Sequence, residues 1–315
     1  MRTLPARIVA SRSEHVLVTG AAGFTGRHLC AHLRGCGYRV FSLVEHAGGD
    51  PDEIVADLLD APAMAAAIRT AAPDYVVHLA AIAFPGHADA AAIYRVNLTG
   101  TLTLLDALAR EGFGRERVLL PSTGTVYASS ESDDLAETAP LAPATHYAVS
   151  KLAMEHMARL FARSLPITIV RLFNYTGPGQ REPYLVPKIV RHFAERSDAI
   201  ELGNIDVIRD FLDVRTVVDA YQRLLTAPMA VGGTFNVCSG TGVAIRDIVT
   251  TLEELTGHRI AIHVNPKFVR PDEPRRIVGS PAKLQALIGE LGRLPLAKTL
   301  ADMLAEREQS AARPK

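Results

Sequence analysis

His15-Val16-Leu17-Val18-Thr19 runs directly into Gly20-Ala21-Ala22-Gly23-Phe24-Thr25-Gly26. The first five residues carry the apolar, valine-rich run of a parallel strand covered on both faces. The glycines then turn the chain, and Arg27 to Arg34 place apolar residues at helical spacing until Gly35 and Gly37 end the run. Strand, glycine loop and helix in this order form a phosphate-binding turn. Gly20 permits the tight turn, Gly23 lets backbone approach a pyrophosphate, and Gly26 lets helix and strand pack closely. The helix N-terminus then offers its amides and dipole to an anion. The spacing is GxxGxxG, not GxGxxG.

Outward from this unit the chain keeps alternating. Strands are expected at Arg39 to Val44, Glu53 to Asp57, Asp74 to Leu79, Arg117 to Leu120 and Ile167 to Arg171. Helices are expected at Asp60 to Ala71, Ile93 to Arg110 and Tyr147 to Arg163. Such alternation predicts an α/β fold, a doubly wound parallel sheet of Rossmann type, with ligands outside the carboxyl ends of its strands. Thr123 and Asn174 fall just past two of those ends. After Arg171 the texture changes: Gly and Pro become dense, and short strands intersperse the later helices.

Tyr147 and Lys151 stand at i and i+4, hence on one helical face. A lysine ammonium beside a phenol is expected to lower the phenol's pKa, so that it exchanges a proton with an alcohol or ketone oxygen. Thr123 would orient that oxygen; its plainer reading is a turn threonine bonding backbone. The next residues, Gly124 and Thr125, cannot ionise usefully. His78 reads as a packed strand-end histidine, and Asn97 as a buried hydrogen-bonding group near the site.

Composition excludes several classes. The chain has 315 residues, 48% of them hydrophobic, with Lys+Arg equal to Asp+Glu at 34. There is no basic surplus to attract nucleic acid, and no long apolar run to cross a membrane. The three cysteines, Cys30, Cys36 and Cys238, make no disulfide framework, which fits a cytoplasmic protein. No metal-ligand spacing appears, and no metal is expected.

The glycine loop, Thr123 and the Tyr147/Lys151 pair, in this order, resemble the extended short-chain dehydrogenase/reductase family, from about Val16 to about Leu304. Arg171 to Asn174, Gly177 to Gln180, Gly203 to Val214 and Phe235 to Gly240 are most similar to the GDP-6-deoxy-4-keto-mannose reductases within it. The resemblance implies a Rossmann domain of residues 1–173 plus about 211–238. It also implies a smaller discontinuous α/β domain for a nucleotide-sugar substrate, about 174–210 plus 239–315. It implies NADP or NAD as cofactor and a homodimer. Gly20, Gly23, Phe24, Thr25, Gly26, Glu45, Asp57, Leu58, Leu79, Ala80, Ala81, Tyr147 and Lys151 would line the cofactor. Thr123, Asn174, Lys188, Arg209, Arg270 and Glu273 would meet the substrate, and Thr123, Tyr147 and Lys151 would be catalytic.

The residues leave choices open. Glu45 at the end of the second strand suits a ribose hydroxyl and NAD, while Arg27 suits the phosphate of NADP. Arg209 can bind a diphosphate or pair with Asp210. The lack of an acid after Thr123 argues against a 4,6-dehydratase and leaves two activities. One is reduction of a 4-keto-6-deoxy sugar at C4. The other is 4-epimerisation with tightly bound NAD.

Overall fold

The computed structural model describes residues 14–84, 86–128, 130, 134–269 and 274–312. Strands β1 (His15–Thr19), β2 (Arg39–Val44), β3 (Glu53–Val55), β4 (Tyr75–His78), β5 (Arg117–Thr123) and β6 (Ile167–Leu172) lie parallel. With the later strand Thr234–Val237 they form a seven-stranded sheet in the order Thr234–Val237, β6, β5, β4, β1, β2, β3. The chain winds outward from β1 to β3, then jumps back to β4 on β1's other side, so the glycine loop leaves β1 at the point where the winding reverses.

Side-chain alternation builds two cores. Val16, Val18, Tyr75, Val77, Leu119 and Val170 face one layer, where Leu29 and Leu33 of α1 (Phe24–Gly35) close over them. Leu17, Val76, Val118, Leu120 and Ile169 face the other. That second layer holds α2 (Ala61–Ala71), α4 (Thr101–Glu111) and α5 (His146–Arg159), which follow in chain order with the short α3 (Ala90–Tyr94) before α4. Asp60 caps α2 by accepting from the Ala63 amide at 3.0 Å.

The expected helix from Ile93 to Arg110 is not continuous. Between α3 and α4, Arg95–Gly100 forms a π-helical turn. Leu58 presses on Gly100 so closely that a Cβ there would lie 2.5 Å from its Cδ2. The Asn97 side chain bonds the Ile82 amide and carbonyl at 2.8 and 3.0 Å, contacts that lie outside the helical ladder. The expected helix from Tyr147 to Arg163 begins at His146, capped by Thr145, and stops at Arg159.

Beyond β6 come β7 (Asn174–Thr176), α6 (Leu185–Ala194), β8 (Ala199–Leu202) and β9 (Ile208–Asp213). Then α7 (Val214–Thr226) packs on the α1 side of the large sheet, and β10 (Thr234–Val237) pairs with β6. The rest is β11 (Gly242–Ala244), α8 (Ile245–Thr256), β12 (Ala261–Val264), β13 (Arg276–Ile277), α9 (Ala282–Ile288) and α10 (Leu296–Ala312). β7, β11 and β13 surround β9 in a small sheet, and β12 pairs with β8. Apolar faces of α6, α8 and α10 form a separate core there. The crossing from small layer to large sheet falls at Asp213–Val214. Among the described residues no helix is long and apolar enough to cross a membrane. All three cysteines are free thiols.

Candidate active site

The glycine loop is shaped by exclusion. Gly20 has φ +66°, and a Cβ on it would meet the Ala80 amide nitrogen at 2.7 Å. A Cβ on Gly26 would run into the Gly20 carbonyl and lie 2.5 Å from that of Ala21. Gly23 packs only against the Gly20 carbonyl, to which it donates at 3.0 Å. The loop therefore seals against β4 and its own helix while Gly23 stays open on the outer side. This cradle fits a dinucleotide pyrophosphate at the α1 N-terminus, where no side chain caps the helix. Phe24 and Thr25 open that helix. Thr25 Oγ1 lies 2.8 Å from the Tyr175 hydroxyl, and the Phe24 ring stacks on Tyr175 at 6.1 Å. Tyr175 thus ties the cradle to the small layer, a contact the sequence reading missed.

Leu79, Ala80 and Ala81 follow β4 beside Gly20. They are held by the Thr19 carbonyl, which accepts from Leu79, and by Thr19 Oγ1, which accepts from Ala80 at 3.1 Å. Thr19 Oγ1 lies 2.7 Å from His78 Nδ1, and His78 Nε2 lies 2.9 Å from Thr101 Oγ1, whose hydroxyl donates to the Asn97 carbonyl. The directions follow in series: Thr101 accepts from Nε2–H, so Nδ1 accepts from Thr19. His78 is neutral and fully partnered. Burial, then the Lys151 charge, pulls its pKa down to about 3. Asn97 continues the chain by donating to Ser150 Oγ at 3.1 Å, and Ser150 donates to the Tyr147 carbonyl at 2.7 Å. One buried series thus links the phosphate loop to the helix of Tyr147.

At the end of β5, Thr123 is 6% exposed, and its Oγ1 accepts from the Thr125 amide at 3.1 Å and lies 2.9 Å from the Thr125 hydroxyl. Gly124 lies under the Phe173 ring, 3.1 Å from where a Cβ would sit. Lys151 is 5% exposed and donates to the Pro121 carbonyl at 2.9 Å. The expected acidification of Tyr147 is not found: burial pushes the phenol's pKa up, nearby Tyr175 and Tyr184 push the same way, and the Thr123 hydroxyl opposes them. Lys151 itself is pulled down to about 8 by burial, against Glu155. Loss of water is the largest cause of both shifts.

Glu45 is exposed just past β2. Arg27 donates to the carbonyls of Ala22 and Gly179 at 2.7 and 3.2 Å, so in this arrangement its guanidinium spans to the small layer. Asp57 is exposed after β3 and accepts from the Leu59 amide, while Leu58 is buried on the π-helical turn. Of the residues expected to meet a substrate, Asn174 is exposed at the start of β7, opposite Phe211 of β9. Arg209 is 8% exposed on β9 and donates to the Ile208 carbonyl at 2.9 Å. Its neighbour Asp210 accepts instead from the amides of Ser239 and Gly240 at 2.7 and 2.8 Å. Lys188 donates to the Glu201 carbonyl at 2.6 Å and lies over the Phe268 ring. Arg270 and Glu273 lie outside the described residues.

Comparison with known proteins converges on this arrangement. Residues 16–238 match the NAD dependent epimerase/dehydratase family, and the chain belongs to it, within the extended short-chain dehydrogenase/reductases. It is 35% identical over 274 residues to the GDP-6-deoxy-D-talose 4-dehydrogenase of Aggregatibacter actinomycetemcomitans, covering 87% of this chain and 91% of that one. It is 33% identical to the GDP-6-deoxy-D-mannose reductase of Pseudomonas aeruginosa, covering 94% and 98%. Among solved structures, a Burkholderia cenocepacia J2315 protein provisionally named an epimerase superposes with TM-score 0.87 at 43% identity, covering 94% of this chain and 99% of that one. The NADPH complex of RMD from Pseudomonas aeruginosa gives 0.83 at 32% identity, with the same coverage.

Proposed function

We propose that this enzyme reduces the 4-keto group of a GDP-linked 6-deoxy sugar at C4. The observation that carries this reading is the docking of α5 on the carboxyl end of β5, where Lys151 donates to the Pro121 carbonyl at 2.9 Å and Thr123 is followed by Gly124 and Thr125 and no carboxylate. That set moves one proton at one oxygen. It has no acid to expel a C6 hydroxide and no base for the C5 proton. NADPH or NADH, held in the glycine cradle, supplies the hydride. Thr123 orients the carbonyl, and Tyr147 gives its proton to the developing alkoxide. Reduction starts from the neutral phenol, and burial keeps Tyr147 in that form. Lys151 would hold a positive charge toward the ribose hydroxyls, and Glu45, Asp57 and Leu58 would meet the adenosine end. Asn174 and Arg209 meet the sugar diphosphate, Asn174 from an exposed position. Residues 1–173 plus about 211–238 carry the cofactor, and about 174–210 plus 239–315 carry the nucleotide sugar. Two relatives named for a GDP-linked 6-deoxyhexose, each matched along most of its length, support the substrate class. We propose a homodimer through α4 and α5, where Leu102 and Val149 are 39% and 38% exposed.

A second reading is a nucleotide-sugar 4-epimerase with tightly held NAD. Relatives named UDP-glucose 4-epimerase, one 29% identical over 88% of this chain, favour it. Incubation with GDP-4-keto-6-deoxy-mannose and NADPH or NADH decides between them. Stoichiometric loss of absorbance at the reduced-nicotinamide band, with a C4 alcohol seen by NMR, is expected. Interconversion of UDP-sugars by protein that already carries NAD, with no reduced cofactor consumed, would overturn the reductase.

A further inference from the structure

Glu155 is fully buried one turn beyond Lys151, and nothing in the reaction above uses it. Its carboxylate accepts from Arg171 through both oxygens, Nε to Oε1 at 3.0 Å and Nη2 to Oε2 at 2.7 Å. Ser122, next to Thr123, donates to Oε1 at 2.6 Å. Arg171 donates onward to the Tyr127 hydroxyl at 2.9 Å and the Glu137 carbonyl at 3.2 Å. Tyr127 donates to Asn236 Oδ1 at 2.7 Å, and Asn236 in turn donates to the Leu135 carbonyl. Leu135 exchanges backbone bonds with Val278 and Ser280 of the small layer. The ion pair thus sits between the Tyr147/Lys151 helix, the Thr123 strand and the loop that reaches the small layer.

Burying an ion pair this completely rarely adds stability over apolar packing, so its presence calls for another use. Lys151 supplies one. Its ammonium is buried, and among the described residues the negative charge that acts on it is the Glu155 carboxylate, four residues on along the same helix. Tyr147 lies one turn earlier on the same helix, neutral His78 on β4 feels the Lys151 charge, and Arg171 on β6 holds the Glu155 carboxylate. Strand β5 offers only the Pro121 carbonyl and the hydroxyls of Ser122 and Thr123, and the π-helical turn offers the Asn97 amide. We propose that Glu155 is a positioning residue for the active site: it fixes α5 against β5 and β6, and its charge keeps the Lys151 ammonium protonated, with Arg171 setting how much of that charge Lys151 receives. The proposal rests on the reductase reading for its consequence, but not for its physics.

The two halves of the pair then act on Lys151 with opposite sign. Glu155→Gln removes the favourable charge and leaves Arg171 as a second cation, so the ammonium is lost at lower pH. Arg171→Gln leaves the carboxylate to Lys151 alone, so the ammonium survives to higher pH. The test is a pH titration of the Lys151 side chain by NMR with 13Cε-lysine in the cofactor-free protein, the resonance assigned by its loss in Lys151→Met. A downward move of about one pH unit in Glu155→Gln and an upward move in Arg171→Gln are expected, with Glu155→Asp restoring the wild-type midpoint. The alkaline limb of kcat should follow each shift. Midpoints unchanged in both variants, or displaced in the same direction, would overturn the proposal. Should Glu155→Gln fail to fold, the sign of the Arg171→Gln shift decides alone. Shifts of the expected sign in a protein that reduces no keto sugar would sink the proposed function and leave this inference standing.

Discussion

The two sides of the site are built from different materials. The side proposed for the cofactor is backbone and exclusion: Gly20 and Gly26 are packed so that an added carbon would strike an amide or a carbonyl, Gly23 is left open, and Thr19, His78 and Thr101 lock the loops behind. The side proposed for the substrate is side chains on short strands, with Asn174 exposed and Arg209 donating to the Ile208 carbonyl. A cradle of this first kind tolerates almost no change but reads only what every dinucleotide shares. A surface of the second kind is adjustable, and the adjustable side is where relatives with one chemistry and different sugars can diverge.

The largest effect should come from the seam between the sides. Tyr147→Phe should lower kcat about 10²–10⁴-fold while leaving the dissociation constant of NADPH, read by fluorescence, within a small factor. Turnover close to wild type would detach the phenol from the chemistry and dissolve the contrast. Next is Gly26→Ala. A methyl driven against the Gly20 and Ala21 carbonyls should cost about 2–4 kcal/mol in a denaturant melt and abolish dinucleotide binding. A stable, cofactor-binding alanine variant would show the cradle to be soft. Smallest is Asn174→Ala, which should raise KM for the nucleotide sugar roughly tenfold with no change in melting temperature or cofactor affinity. If cofactor affinity fell as well, the two sides would not be separable in function.

The same contrast explains what the sequence disclosed. Glycines, alternation and capping act locally, so the β1–loop–α1 unit, the parallel sheet and the expected strand positions could be read from neighbours in the chain. Long-range devices could not. Nothing in Ile93 to Arg110 announces the π-helical turn, because its cause is Leu58 and the Ile82 loop pressing from elsewhere. Glu155 was visible as the fourth residue after Lys151, yet only the fold brings Arg171 and Ser122 to it. The acidic phenol inferred from Tyr147/Lys151 failed for a related reason. Spacing reports that two groups are close, but says nothing of how much water the rest of the chain removes from both. Asn174 and Arg209 were read as substrate ligands from residue type and resemblance, neither of which discloses Arg209's backbone partners.

Strand β10 closes the border of the large sheet only after the chain has travelled through the small layer and back. Until residue 237 has emerged during synthesis, β6 has an uncovered row of amides and carbonyls, available to any other extended segment. The large sheet therefore has a vulnerable flank that is finished only after the first part of the small layer has been made. An amino-terminal fragment ending near residue 175 should be insoluble for that reason, although it contains every residue proposed for catalysis.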